Sequence, residues 1–435
     1  SGGSTGFAGA RAWAEAADPA LVDGVIVLGD LAGTRVGRPW VVPWAGAAAP
    51  APLGLQRTLE SALRRETGSQ PGGARAIAQW IRRAVPATLS EQGVLGGAGV
   101  PAALIGVTGE RGPGAGEPVT RRRLQGFGRA ALRALTAIDE AGGTGAAAGP
   151  AFARDPRGIL TMRNVLPDWA VRLVVGTLLL PALLTALDAF FRIRRRRIAT
   201  APWLAWIGSV GAGVLAAWLW ARALGLTGLL DAPPAIVAPR DLPLTGAGAA
   251  ALGSTLLAAA LGVLAVRFAA RSLIRGRTHA AAGGLSAVVG AVLALGAALA
   301  WLVNPYFAAL LLPAAHTWLF AGSPQGRLRA WPAWVAVAAG VVLPLLVVAY
   351  YATAFAAGPL EEAWLLLLAA AAGNVSVPTL IVAGAYFAAL AGIVRVVAAQ
   401  RRIVRQSPED PIRTRGPVSY AGPGSLGGTE SALRR

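Results

Sequence analysis

Few side chains of this chain could carry metal or acid–base chemistry. The 435 residues include two His and no Cys, which excludes a disulfide framework and any thiolate metal site. A zinc or iron site built from several histidines is disfavoured because the chain has only two His. The candidates that remain are Asp30, Glu91 and Glu110, close to short apolar runs, and Asp188 and His316, inside long ones.

Structural roles are the simplest interpretation of the first three candidates. Asp30 closes the apolar run GVIVLGD, and aspartate is a typical turn former at the end of a strand. Glu91 and Glu110 are weak candidates for a substitute catalytic acid, because acids in loops are usually solvated. We therefore expect Asp30 to shape a turn and the two glutamates to face water.

Polar residues inside apolar stretches are costly in a membrane and are often functional. Asp188 has Arg192 one helical turn further on, which favours an ion pair near the helix end over a functional acid. For His316 we favour a hydrogen bond to a neighbouring helix over a proton relay. Asp188 and His316 would have a functional role only if the protein were a transporter.

Long apolar stretches dominate the second half of the chain. Hydrophobic residues make up 55% of the sequence and charged residues 14%, a balance that disfavours a soluble protein. Seven stretches approach the roughly 20 residues that a helix needs to cross a bilayer. They cover residues 169–191, 202–221, 247–266, 281–303, 306–321, 333–356 and 376–397. A shorter stretch at 363–372 favours an interfacial or re-entrant helix.

Arginines mark every second connection between these stretches. All 40 basic residues are Arg, and the formal net charge is +19. The clusters contain Arg192, Arg194, Arg195, Arg196, Arg197, Arg267, Arg271, Arg275, Arg277, Arg327, Arg329, Arg395, Arg401, Arg402 and Arg405. By the positive-inside rule this pattern predicts a multi-pass plasma-membrane protein, with residues 1–165 outside and the C-terminus in the cytoplasm. The basic excess therefore records topology in a lipid bilayer, and nucleic acid is disfavoured as a partner.

The first 142 residues have the pattern of an α/β domain. Short apolar runs at 24–30, 39–44 and 101–107 predict strands, and amphipathic helices lie around them. This alternation favours a mostly parallel sheet with flanking helices, small enough to suggest a domain that is incomplete at its N-terminal side. We expect a linker at 143–165, an all-α membrane domain of about seven helices at 166–400 and a disordered cytoplasmic tail at 401–435.

Three segments of the α/β region resemble the zinc-dependent aminopeptidase family 28. GFAGARAWA at 6–14 is similar to the helix after the family's glutamate pair, and GVIVLGDLAG at 24–33 to its I-N-L-D turn. SEQGVLGGAGVPAALIG at 90–106 is similar to its S-D-H-to-G-I-P-A segment. The resemblance implies an aminopeptidase-like fold over roughly a third of the chain. The arrangement with many following helices is also similar to the Gaa-type subunit of GPI transamidase.

Most of the chemistry that the resemblance implies is missing from this sequence. The family uses two zinc ions and a glutamate base. The glutamate pair falls on Gly3 and Ser4, S-D-H reads S-E-Q at 90–92, and the region of the last zinc-binding His reads TGER at 108–111. Asp30, at the aspartate of the I-N-L-D turn, is the surviving ligand-type residue. We therefore expect no cofactor, and zinc only if the enzyme activity survives.

Three functions stay open on the sequence. The favoured one is a bacterial integral membrane protein whose metallopeptidase-like outer domain is not catalytic and binds extracytoplasmic peptides or scaffolds other membrane proteins. The alternative is an active membrane-anchored zinc aminopeptidase that uses upstream ligands and unusual replacements. The second alternative is a transporter with an accessory outer domain.

Overall fold

The structure is a computed structural model of the chain. It describes residues 5–33, 38–47, 49–72, 74–112, 116–141, 152, 155, 157–161, 164–271, 282–322 and 330–406. The predicted linker at 143–165 lies partly outside these residues. The predicted disordered tail at 401–435 is wrong for its first six residues, since 401–406 are helical; the rest of it lies outside the described residues, and so do Gly3 and Ser4. Four arginines of the predicted basic clusters also lie outside: Arg275, Arg277, Arg327 and Arg329.

An α/β unit precedes the long helices, and all three predicted strands form. Its helices are α1 Ala8–Ala16, α2 Leu53–Thr67, α3 Ala76–Ala84, α4 Glu91–Gly97 and α5 Arg121–Ala141. Its strands are β1 Val25–Leu28, β2 Trp40–Val42 and β3 Ala102–Gly106. The elements alternate as the hydrophobic pattern predicts, although an aminopeptidase-like fold is a finer statement than this agreement supports.

The sheet is mixed, so the predicted mostly parallel arrangement does not hold for β2. The strand order is β1-β3-β2, with β1 parallel and β2 antiparallel to the central β3. A parallel return along the sheet needs a crossover of about a dozen residues or more, usually helical. The connection at 29–39 is shorter, and no helix occurs among its described residues. β2 therefore returns in the opposite direction.

Helices α2 and α5 cover one face of this sheet. Leu55, Leu59 and Leu63 recur every four residues along α2, and all three are buried. On α5, Phe127 and Ala134 are buried against them in the same apolar cluster. This spacing puts one stripe of each helix on the sheet and leaves the arginines of α5 on its other faces.

The predicted linker contains a short hairpin that the sequence did not reveal. Strand β4, Gly158–Leu160, pairs antiparallel with β5, Val165–Pro167. The first long helix, α6, begins at the very next residue, Asp168. The chain therefore enters the helical half from an ordered strand, which fixes the position of Asp168.

Every predicted apolar stretch is helical. The helices are α6 Asp168–Arg195, α7 Ala201–Leu226, α8 Gly246–Ala269, α9 Ala282–Val303, α10 Pro305–Gly322, α11 Ala330–Phe355, α12 Pro359–Ala372 and α13 Val377–Gln406. Within the described part of the chain, six of them are long and apolar enough to cross a membrane: α6, α7, α8, α9, α11 and α13. The fifth predicted stretch forms α10, which is 18 residues long and is not among these six.

The shorter α10 is enclosed by its neighbouring helices. Its Ala308, Ala314, Ala315 and Trp318 are at most 1% exposed. A Cβ atom at Gly340 of α11 would lie 2.2 Å from the Trp318 Nε1 atom, so the two helices meet through a residue without a side chain. Close packing by small residues holds α10 inside the bundle.

The outer helices present apolar side chains to their surroundings. On α8, Leu256, Leu257, Leu261, Leu264 and Phe268 are 54–72% exposed. A patch of this size would be unfavourable in water, whereas lipid chains cover it in a bilayer. The six apolar helices and this exposed surface are the features of a multi-pass integral membrane protein.

The α/β unit contacts one end of the helices, and the arginines collect at the other. Trp80 of α3 donates a hydrogen bond to the carbonyl of Tyr306 at the start of α10. The described arginines of the predicted clusters lie in or just after the opposite ends of α6 and α8, or in the last part of α13. We call these the domain end and the basic end.

Candidate functional site

Asp30 lies in a tight turn at the end of β1. Its side chain is 3% exposed, and its Oδ1 atom accepts hydrogen bonds from the backbone N–H groups of Ala32 (3.2 Å) and Gly33 (2.8 Å). Its carbonyl accepts from the N–H of Val107, next to β3. This is the predicted turn geometry. Among the described residues, no group of three His, Cys, Asp or Glu side chains surrounds it or forms elsewhere.

Glu91 and Glu110 have different surroundings, although both were expected to face water. Glu91 is the first residue of α4 and is half-buried, where its charge suits the helix N-terminus. The Glu110 side chain is 4% exposed, so the prediction of a solvated loop acid is wrong for it. The reason is a partner far away in sequence: Arg82 of α3 lies with one guanidinium nitrogen 2.8 Å from Glu110 Oε2.

A second residue completes the surroundings of the Glu110 carboxylate. The Nε2 atom of Gln92 on α4 donates a hydrogen bond of 3.1 Å to Glu110 Oε1, and Gln92 is fully buried. Burial raises the pKa of the Glu110 carboxyl above its usual value, while the Arg82 charge and the hydrogen bonds from Arg82 and Gln92 oppose this shift. The carboxylate is thus enclosed, with one partner on each oxygen.

Aromatic rings from both halves of the molecule surround the Arg82 guanidinium. Its carbon atom lies 5.1–5.8 Å from four ring centroids, within the range of cation–π attraction. The rings belong to Trp44, Tyr350, Tyr351 and Phe355. Arg82 Nε also donates a hydrogen bond of 3.1 Å to the Tyr350 hydroxyl. Arg82 therefore joins the α/β unit to the domain end of α11.

The neighbouring Arg83 makes an equivalent connection to α6 and α10. It lies 2.9 Å from Asp168 Oδ1 and donates a 2.5 Å hydrogen bond to the carbonyl of Gly158. The Tyr306 hydroxyl donates to the same Asp168 oxygen at 2.5 Å, and Asn304 Nδ2 donates to the Arg83 carbonyl at 2.7 Å. We call Arg82, Arg83 and these polar partners the α3 lock.

A cleft opens beside the α3 lock. Its volume is about 880 Å³, and its walls come from α2, α3 and the β4 hairpin. Gln79 holds the hairpin wall by a reciprocal pair of hydrogen bonds with the backbone of Leu160, at 2.9 and 2.7 Å. Glu60 lines the opposite wall, and burial raises the pKa of its carboxyl group despite two neighbouring arginines.

The surface of the cleft is mixed in character. Prolines and one tryptophan give it apolar walls, and basic and acidic side chains also line it. The apolar group includes Pro43, Trp44, Pro50, Pro52 and Pro101, and the charged group comprises Arg57, Glu60, Arg75, Arg83, Asp155 and Arg157. A concave apolar surface with a few polar groups is the usual form of a ligand or peptide site.

The two candidates of the helical half lie apart from this region. Asp188 and Arg192 form the predicted ion pair at 2.8 Å, one turn apart on α6, and both side chains are more than a third exposed. The predicted interhelical bond of His316 is wrong: its Nδ1 atom contacts the carbonyl of Leu312 in its own helix at 2.9 Å. His316 is exposed at the surface of the bundle. The structure does not bring Asp188 and His316 into one site.

The α3 lock was missed by reasoning from sequence. Its signals were present but ambiguous: two adjacent arginines on a short amphipathic helix, and an acid immediately before an apolar stretch. Arg82 and Arg83 point to partners more than 25 residues away in sequence. No local pattern specifies such partners.

Comparison with known proteins assigns the chain to no family, since no protein-family model and no curated protein matches it. The resemblance to aminopeptidase family 28 therefore rests on the three segments described above and stays a hypothesis.

Proposed function

We propose that this protein is a multi-pass protein of the plasma membrane whose α/β domain acts by binding or scaffolding and not by catalysis. The pairing of Glu110 carries the proposal. A catalytic or metal-ligating carboxylate needs an oxygen that faces its substrate or ion. The Glu110 oxygens face Arg82 and Gln92 instead. The surviving ligand-type residue, Asp30, has one oxygen held by backbone N–H groups.

The positions of the arginines support an orientation for this protein. They collect at the basic end, opposite the α/β domain, and loops rich in Arg stay in the cytoplasm. In this orientation the α/β domain, the α3 lock and the cleft lie outside, and the C-terminus lies in the cytoplasm. The cleft is then open to extracytoplasmic peptides and to the outer segments of other membrane proteins.

The cleft is the surface that best suits a peptide partner. Its apolar walls would bury aliphatic or aromatic side chains, and its charged side chains would fix the direction of a peptide backbone. The α3 lock borders the cleft through Arg83 and also contacts three helices of the membrane half. This contact between the α/β domain and the membrane helices would hold a peptide bound in the cleft at a fixed distance from the bilayer. A scaffold needs such a fixed distance.

Metal content tests the non-catalytic part of the proposal. Full-length protein, purified and then incubated with zinc and desalted, is expected to hold less than one zinc ion per chain by elemental analysis. It is also expected to release no N-terminal amino acids from a broad peptide panel. Stoichiometric binding of two zinc ions with chelator-sensitive release would contradict the proposal and favour an active aminopeptidase.

A further inference from the structure

Two arginines at the basic end face one tryptophan. Trp206 lies in the second turn of α7, and its ring centroid is 5.5 Å from the guanidinium carbon of Arg267 on α8 and 4.9 Å from that of Arg395 on α13. Arg395 also lies 5.3 Å from the ring centroid of Trp203. Three helices therefore bring two positive charges to one indole.

Hydrogen bonds hold Arg267 against Trp206 but do not neutralise the positive charges. Arg267 Nε donates to the Ser209 hydroxyl at 3.2 Å, and that hydroxyl donates to the Trp206 carbonyl at 2.6 Å. Ser209 is fully buried. Within the described part of the chain, neither Arg267 nor Arg395 forms an ion pair with an acidic residue. Cation–π attraction offsets only part of the repulsion between two like charges in surroundings of low dielectric constant.

The depth of the pair in the bilayer is defined by its helices. Arg267 lies in the last turn of α8, and Arg395 lies near the end of the apolar part of α13, which closes at Ala399. Tryptophans at helix ends mark the level of lipid headgroups. Leu264 and Leu261 precede Arg267 by about one and two turns of α8, towards the interior of the bilayer, and are 59% and 54% exposed. A ligand here meets positive charge at the headgroup level and apolar surface below it.

We propose that Arg267 and Arg395, held by Trp206 and Ser209, bind a phosphate oxyanion that an anionic phospholipid supplies. Guanidinium groups bind phosphate oxygens by paired hydrogen bonds, and basic pockets between membrane helices accept lipid headgroups. The exposed apolar side chains below the pair accept the acyl chains of the same lipid. A free phosphate ion has no acyl chain and would leave these side chains uncovered. This site lies at the end of the helices opposite the cleft and is independent of the proposed binding function.

Native mass spectrometry of the delipidated full chain tests the site. Phosphatidylglycerol is expected to bind in preference to phosphatidylcholine. The double variant Arg267→Gln, Arg395→Gln loses this preference, with about a fivefold drop in phosphatidylglycerol affinity for each arginine removed. The control variant Arg196→Gln, Arg197→Gln removes the same charge from the exposed turn after α6 and keeps the preference.

Three results would overturn the proposal. They are equal binding of the two lipids by the wild-type protein, an equal loss in the control variant, and binding of inorganic phosphate without any preference for phosphatidylglycerol. The last result would assign the oxyanion to free phosphate. If the double variant fails to fold, Arg267→Gln alone answers the question, because Arg267 is exposed at a helix end and its replacement should still weaken phosphatidylglycerol binding about fivefold.

Discussion

Arg82 and Glu110 are charged side chains that are 6% and 4% exposed, and their burial is balanced by many contacts. Removal of a guanidinium or a carboxylate from water costs several kcal/mol per ion. Mutual attraction, the Gln92 hydrogen bond and the surrounding aromatic rings offset that cost. Such a pair is sensitive to the loss of one partner, since the other charge then stays buried alone.

Arg82→Met is expected to lower the free energy of unfolding of the α/β domain by about 3–5 kcal/mol, because Glu110 loses its counter-charge. The double variant Arg82→Met, Glu110→Gln should recover most of this loss, since the Gln92 hydrogen bond can then pair with a neutral amide. Urea titration of the full chain in detergent, with tryptophan fluorescence as the signal, measures the free energy of unfolding of both variants. Equal stability of Arg82→Met and the wild type would contradict the buried pair.

The matched control for this experiment is Arg11→Met. Arg11 pairs with Glu15 at 3.0 Å, but the two side chains are 49% and 67% exposed. Water screens an exposed pair of this kind, so its loss should change the free energy of unfolding by less than about 1 kcal/mol. The difference between the two variants isolates the effect of burial.

Sequence could predict one ion pair of this protein and not another. Asp188 and Arg192 are one helical turn apart, and helix geometry alone brings them together. Arg82 and Glu110 are separated by α4 and β3, so only the packing of α3 against the loop after β3 creates their contact. Glu110 therefore had the sequence pattern of a solvated acid although it is enclosed.

Helices α2 and α5 are joined by an ionic contact as well as by their apolar stripe. Arg129 and Arg133 of α5 both contact Glu66 of α2, at 3.0 and 2.6 Å. Hydrogen bonds from Arg133 and Arg129 lower the pKa of the Glu66 carboxyl below its ordinary value of 4.5. The contact therefore links the packing of two helices to pH.

Glu66→Gln is expected to lower the thermal unfolding midpoint at neutral pH but not in acid. Because the folded-state pKa of Glu66 lies below its unfolded value, its stabilising effect is present above pH 4.5 and disappears as pH falls through the lowered pKa. Circular dichroism melts of wild type and variant over this pH range measure the difference. The control Glu140→Gln, on exposed α5 surface, should change the midpoint little at any pH. A difference that persists in acid would contradict the ionic origin.

The cleft gives a second prediction at the scale of elements. Ala76 begins α3, is exposed and lines the cleft, so Ala76→Trp should fill part of the cleft without disturbing the domain core. Peptides selected from a random library for binding to the wild type should bind Ala76→Trp about tenfold more weakly, which corresponds to roughly 1.4 kcal/mol. Fluorescence anisotropy with labelled peptides measures this change.

Ile77→Trp is the control for the cleft. Ile77 is the next residue of α3, is 68% exposed and is not among the residues that line the cleft. The two variants place the same side chain in the same helix turn, so a general effect on folding would appear in both. If peptides bind both variants equally well, the cleft is not the binding surface.

For the whole molecule, the distribution of arginines predicts an orientation that can be measured directly. The chain has no cysteine, so a single introduced thiol reports on one position. Ser69→Cys, exposed in the α/β domain, should react with a membrane-impermeant maleimide on intact cells. Ala199→Cys, exposed at the basic end between α6 and α7, should react only after permeabilisation. The opposite pattern would contradict an outer α/β domain.

Composition and hydrophobic pattern alone determined the membrane character, the positions of the long helices and the three strands, because these properties depend on residues that are neighbours in sequence. The turn at Asp30 and the pair of Asp188 with Arg192 belong to the same local class. Tertiary structure decided the rest: the direction of β2, the enclosure of α10, the α3 lock and the arginine pair on Trp206. Each of these depends on contacts between segments far apart in the chain, which only packing of the whole molecule brings together.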